Sequence, residues 1–257
     1  MSAFHAMFSL VSGLGAASGY LAVRGRARRR APLPRDGRHP RAGGAGVRVA
    51  SLGVQAFHGG SGAFALPQGS LVLVGLPAFC ASVAEGATAD WSAVFLVTVR
   101  QATEAQAALG YAAFSVAMVA MRLADDRVIR RLGAVSTARL SGALAAAGIA
   151  AVILGPSIEA VLAGFAVLGL GYAVVAPVTF SRAAADPQVP PGQAIASVAT
   201  LNYGGMMVGP PLIGFIAEGT SLRGAFALLL ALSVLMIGLA TTLRLPSAPS
   251  AHRRTAA

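Results

Sequence analysis

The chain contains no lysine: all 20 of its basic residues are arginine. It has one cysteine, Cys80, set inside an apolar run, so it offers neither a disulfide nor a metal-ligand spacing. Only 11% of its residues are charged against 56% hydrophobic, with a mean hydropathy of +0.70. A soluble domain carries about 25% charged residues, so a soluble helical bundle fits poorly. The sequence has no Gly-Lys-Ser/Thr phosphate loop, no His-Glu-x-x-His and no Gly-x-Ser-x-Gly. ATP-driven work, zinc proteolysis and serine hydrolysis therefore lack local support, and the residues imply neither an enzyme nor a cofactor.

What the chain does have is apolar runs. Residues 71–99, 107–124, 134–154, 158–180, 193–217 and 222–243 form six, and residues 4–23 stand apart as a seventh. A bilayer core of about 30 Å needs roughly 20 apolar residues in a helix. Each run is close to that length, so the expected fold class is all-α: a polytopic transmembrane helical bundle of six to seven spans. The first run has no basic leader and is long for a signal-peptide core. It also holds Gly15 and Gly19 at GxxxG spacing, which favours close helix packing in lipid, and it reads as a true span.

The net charge of +11 is concentrated. Nine arginines and one acid, Asp36, lie in residues 24–48, giving that segment +8 and leaving +3 elsewhere. The segment has no aromatic residue, whereas nucleic-acid surfaces set basic groups on a folded face or among aromatics, so nucleic acid is disfavoured as a partner. Pro32, Pro34, Pro40 and a series of glycines break any helical pattern there. The expected organisation is an isolated helix at 1–23, a basic Gly/Pro-rich linker at 24–70, a six-helix unit at 71–243 and a tail at 244–257.

Arginine also orients the spans. Arg122, Arg127, Arg130, Arg131 and Arg139 surround the junction of the second and third spans of the unit. Arg182 follows the fourth, and Arg244, Arg253 and Arg254 follow the sixth. The alternate connections carry Arg100 with Glu104, Glu159 alone, and Glu218 with Arg223. The arginine-rich ends are expected to be cytoplasmic, and so is the C-terminus.

Met121-Arg-Leu-Ala-Asp-Asp-Arg-Val-Ile-Arg-Arg-Leu-Gly133 resembles the short cytoplasmic signature of the major facilitator superfamily of secondary transporters, of the form G-x-L-x-D-R-x-G-R-R. Asp126 with Arg127 stands for its acid–base pair, with Asp125 beside it in the segment, and Arg130 with Arg131 for its trailing basic pair. Both signature glycines are replaced, so tight helix approach at this loop is not implied. Residues 78–94, which include Glu85-Gly-Ala-Thr-Ala-Asp-Trp91, are similar to the seventh helix of a bacterial inner-membrane branch related to fucose-permease-type sugar–proton symporters. Residues 200–218, with Asn202-Tyr-Gly-Gly-Met-Met-Val-Gly-Pro-Pro211, are similar to its eleventh helix, and residues 2–10, with His5, to the start of its fifth.

The resemblance covers residues 1–23 and about 64–243, and it implies a multi-pass protein of a bacterial inner membrane, embedded in lipid. The implied activity is movement of a small solute, coupled to protons. It also implies that a sixth helix belongs where the basic segment stands, and that an N-terminal half lies elsewhere. A frameshifted stretch around 24–60 and a genuine basic linker both remain open, as does a remnant that packs in the membrane and transports nothing.

Function is then sought in polar groups within the spans. An ionisable group at a membrane helix centre costs roughly 2.5–3.5 kcal/mol on insertion scales, so it usually pairs, faces a cavity or carries protons. Glu85 is near the middle of its span and is the first candidate for proton or substrate binding, with a structural carboxylate as the alternative. Asp90, five residues on, points about 140° away by helix geometry and suits the outer interface beside Trp91. Asn202 and Tyr203 are candidates for hydrogen bonds to a hydroxylated solute, or to a neighbouring helix. Pro210 and Pro211 are expected to break their helix. His5 is a candidate through the resemblance alone.

Topology is testable in a Cys80→Ala background. Cysteines placed at Arg131 and Glu159 should react with an impermeant thiol reagent from opposite faces of the membrane. Labelling of both from one side would overturn the orientation.

Overall fold

The computed structural model describes residues 66–245. The expected helix at 4–23, His5, the basic segment to residue 60 and the tail beyond 245 lie outside these residues. Eight α-helices follow one another: α1 (Ser70–Arg100), α2 (Glu104–Arg122), α3 (Asp125–Leu132), α4 (Ala134–Leu154), α5 (Ile158–Tyr172), α6 (Val175–Ala184), α7 (Pro191–Gly219) and α8 (Leu222–Leu239). A 3-10 turn, Ala240–Leu243, extends α8, and the described residues contain no strand.

Local signals explain the helix ends. Gln101 adopts a left-handed conformation, φ 53°, which stops α1. Thr103 and Gln106 form a reciprocal capping box at the start of α2. Ser157 and Ser221 each accept a backbone N–H in the first turn of α5 and α8. Gly133, φ 76°, supplies the positive-φ link between α3 and α4. The turns after α1, α4 and α7 are short and sit at one end of the bundle; α3 and the longer 185–190 connection sit at the other.

Five units are long and apolar enough to cross a membrane: α1, α2, α4, α5 with α6, and α8 with its 3-10 extension. The remaining expected span, α7, has 29 residues, about 43 Å at 1.5 Å per residue. Its length suffices, but glycines, Gln193, Asn202 and Tyr203 dilute its apolar character, and it falls outside that group of five.

Three expectations need correction. The signature segment is not a loop: Asp125–Leu132 forms the amphipathic helix α3, with acids in its first turn and Arg130 and Arg131 in its last, as the helix dipole favours. The 158–180 span is interrupted at residues 173–174, because Pro177 has no N–H to offer the Ala173 carbonyl. Pro210 and Pro211, by contrast, do not break α7, which continues to Gly219. Proline's fixed φ is itself helical, and the loss is confined to the N–H bonds that the Met206 and Met207 carbonyls would receive.

α1 is the hub of the bundle, touching α2, α5, α6, α7 and α8. Its closest partner is α7. Lipid supplies no hydrophobic drive between helices, so association relies on close packing. A Cβ added at Gly86 would lie 2.5 Å from the Met206 carbonyl oxygen, and one at Gly205 would lie 2.6 Å from that of Phe79. Gly209 meets the Val83 carbonyl in the same way. Gly148 and Gly164 bring α4 and α5 together similarly. Around these contacts, one apolar cluster includes Phe95 and Phe226, with ring centroids 4.7 Å apart. A second, nearer the start of α1, includes Leu71, Val74, Val178 and Val198.

Two neighbouring glycines separate the packing role from helix propensity. Gly205→Ala should lower the melting temperature in detergent, since overpacking costs typically about 1–3 kcal/mol. Gly204, whose added Cβ meets nothing within 4 Å, should tolerate alanine or gain from it. Equal effects at both positions would remove the backbone contact as the cause.

Candidate functional site

The packing of α1 against α2 resolves what Glu85 does with its charge. Arg122, the last residue of α2, places its Nη2 3.9 Å from Glu85 Oε2. The Arg122 side chain is 3% exposed and that of Glu85 15%. The pair is an ion pair at a distance beyond a direct hydrogen bond. Burial makes the attraction strong and also makes loss of either partner costly, since a lone charge would remain.

Asp125 stands three residues beyond Arg122, where α3 begins, and is only 3% exposed. Its Oδ1 accepts the Asp126 N–H at 2.6 Å, while its Oδ2 has no hydrogen-bond partner among the described residues. Glu85, Asp125 and Tyr111 all act electrostatically on the Arg122 guanidinium. Burial, outweighing the Asp126 amide, pushes the Asp125 carboxyl above its ordinary range. Asp125 and Asp126 also line a cavity of about 380 Å³ with Ile129, Arg130, Phe180 and Ser181. Asp126, Arg127, Arg130 and Arg131 are otherwise exposed on α3.

Buried hydroxyls lie on the same two helices. Thr88 and Ser92 follow Glu85 by three and seven residues on α1, and Ser115 precedes Arg122 by seven on α2. Each hydroxyl is buried without a hydrogen-bond partner among the described residues. Such groups are natural positions for bound water.

The other candidates are dispersed. Asp90 is exposed. The Asn202 amide oxygen accepts a hydrogen bond from Ser82 at 2.8 Å, joining α7 to α1 one turn before Glu85. Tyr203 is 49% exposed and shares the outer side of α7 with Met207 and Phe215. The structure therefore does not bring Asn202 and Tyr203 to one point. Trp91 donates from Nε1 to the Pro210 carbonyl at 2.9 Å, a second polar tie between α1 and α7.

Two residues escaped the sequence reading as site members. Arg122 reads as a flank of the signature, and its partner 37 positions earlier is a matter of helix packing. Asp186 gathers the end of the bundle at which α3 also lies. Its Oδ2 accepts from Ser70 at the start of α1 and from Arg182 on α6, each at 3.3 Å, and its Oδ1 accepts the Gln188 N–H at 3.1 Å. The Asp186-Pro187 turn dipeptide was the available signal.

A bundle of apolar helices with one buried ion pair midway along its central helix defines a multi-pass membrane protein with an intramembrane polar site. A family model of the Major Facilitator Superfamily matches residues 78–257. A transporter of Sinorhizobium fredii (strain NBRC 101917 / NGR234), y4wD, is 40% identical over 255 residues, covering 95% of this chain and 65% of the relative. An MFS-type transporter of Yersinia pestis is 38% identical over 163 residues, 63% of this chain and 42% of the relative. The membrane protein MosC of Rhizobium meliloti is 39% identical over 166 residues, 65% of this chain and 41% of the relative. The chain belongs to the major facilitator superfamily, and it spans between about two-fifths and two-thirds of the length of these relatives.

The Asp186 cluster generates a pH prediction. The Gln188 N–H above all, and then Arg182 and Ser70, hold its carboxyl below the usual carboxylate range against the opposing effect of burial. A depressed native value stabilises the fold fully above the unfolded value, about 3.9 for aspartate, and the stabilisation is lost as pH falls through the native value. Asp186→Asn should therefore melt lower than wild type at pH 7, and the difference should shrink as pH falls below about 4. A difference that stays constant across that window would show that the carboxylate charge is not what holds the connection.

Proposed function

We propose that this chain is the six-helix C-terminal unit of a secondary transporter that moves a small solute by alternating access, coupled to protons through Glu85. The observation that carries the reading is the buried Glu85–Arg122 pair in the centre of an otherwise apolar unit of this superfamily. An intramembrane ionisable group is retained against its insertion cost when it binds protons or solute. In transporters built from repeats, such sites lie near the midplane where two units meet, so a second six-helix unit is needed to complete the cavity. A hydroxylated, sugar-like solute is the class suggested by the fucose-permease-type resemblance of residues 78–94 and 200–218. The arginine distribution supports a bacterial inner-membrane setting with the C-terminus in the cytoplasm. The basic segment 24–60 is best treated as a linker in this scheme, whatever its reading frame.

A second reading is a packing remnant that transports nothing. The two diverge in one assay. The chain would be completed with the N-terminal part of the Sinorhizobium relative and placed in vesicles loaded with a pH dye. A panel of monosaccharides is then added. Solute-driven proton movement that disappears in Glu85→Gln, in a variant that still inserts and folds though it melts lower because the Arg122 charge loses its partner, is the expected outcome. Uptake with unchanged pH dependence in Glu85→Gln would assign Glu85 a structural role, and absence of any movement in the parent would favour the remnant.

A further inference from the structure

Two arginines at the α3 end of the bundle lie exposed on elements that cross the membrane. α4 has 21 residues, about 31 Å at 1.5 Å per residue, so it is just long enough to span the hydrocarbon core. Arg139 is its sixth residue, about 7.5 Å inside that length, and is exposed beside Leu140, which is 43% exposed. Arg244 follows the 3-10 turn that ends α8 and is exposed as well, next to Leu245. Packing brings the two elements together. Ala138, the residue before Arg139, shares the second apolar cluster with Ala240 and with Leu243, the residue before Arg244. Neither guanidinium has an ion-pair partner among the described residues, where the pairs belong to Arg122 and Arg182.

Between these elements lies a cavity of about 310 Å³, whose lining includes Leu132, Val135, Ser136, Arg244 and Leu245. Val135 and Ser136 precede Arg139 by four and three residues, so Arg139 rises from the same side of α4. No acid is among the lining residues, in contrast to the cavity that Asp125 and Asp126 line. A guanidinium at hydrocarbon depth bends its head toward the interface, where the counter-charge on offer is a lipid phosphate. Arginine meets phosphate oxygens with a planar, two-pronged set of donors. A headgroup that also carried an ammonium would press that charge against two guanidiniums with no carboxylate to receive it.

We propose that Arg139, Arg244 and the Ser136 hydroxyl hold the phosphodiester of an anionic phospholipid, of the phosphatidylglycerol type, at the edge between α4 and the end of α8. The exposed Leu132 and Leu245 flank its glycerol region, and its acyl chains pass Leu140. The bound lipid ties the end of α8 to the start of α4. It makes no use of Glu85 and is independent of the transport reading.

Native mass spectrometry of the full chain, released from nanodiscs of equal dioleoyl-phosphatidylglycerol and dioleoyl-phosphatidylcholine, counts the lipids that stay bound. Wild type should retain the anionic lipid in preference. Arg139→Gln with Arg244→Gln should lower that preference by about tenfold, as loss of charge-assisted bonds predicts. Arg127→Gln with Arg130→Gln removes the same charge from α3, outside this cavity, and should keep the preference. Equal retention of both lipids by wild type would overturn the site. So would equal losses in the two double variants, which mark a diffuse attraction of the whole basic end. Melting in detergent gives a second readout: added phosphatidylglycerol should raise Tm in wild type and leave the Arg139/Arg244 variant unmoved. Inorganic phosphate producing the same rise without lipid would make this a free-anion site and overturn the lipid as its ligand. Should the double variant fail to insert, Arg244→Gln alone, beyond the apolar span, is read by the same criteria.

Discussion

The contact between the backbones of α1 and α7 is the constraint on which the rest of the bundle depends. Gly86, Gly205 and Gly209 let carbonyls of one helix sit where side chains of the other would be. Only at that separation can Ser82 reach Asn202 and Trp91 reach the Pro210 carbonyl. In lipid, interhelical hydrogen bonds are individually worth only about 0.6 kcal/mol on average. Close packing of small residues therefore carries the association, and the polar ties set its register. With one side of α1 committed to α7, the side bearing Glu85 meets α2.

The ion pair has the opposite character. It adds little net stability once its desolvation is counted, and it is weak evidence of a stabilising role. Its value is specificity: an α1 rotated or shifted from its place would strand Glu85 without Arg122. A buried charge pair thus selects one arrangement of α1 and α2 among many of similar packing quality.

The bundle's two ends are built differently. At one end the turns are short and closed by Thr103, Ser157 and Ser221 caps. At the other, Asp186 ties the start of α1 to α6 through Ser70 and Arg182. Capped turns resist rearrangement, whereas charge-based ties respond to protonation and to ionic strength.

The all-α, multi-helix class was legible in the residues because it depends on local quantities: run length and hydropathy. The positions of Glu85 and Asp90 on different sides of α1 follow from 3.6 residues per turn. The helical state of Asp125–Leu132 was missed because a charged eight-residue segment between spans reads as a loop until its amphipathic sides have neighbours. The continuity of α7 through Pro210 and Pro211 was missed for a related reason, since a proline's cost in a helix depends on what surrounds the carbonyls it frees. The sequence by itself determined that this chain must form an apolar, multi-helix membrane unit carrying a few charges too expensive to leave alone. Only the tertiary structure decided that Glu85 answers to Arg122 and that Asn202 answers to Ser82. Pairing between residues 37 and 120 positions apart is set by how helices cross, which no local pattern encodes.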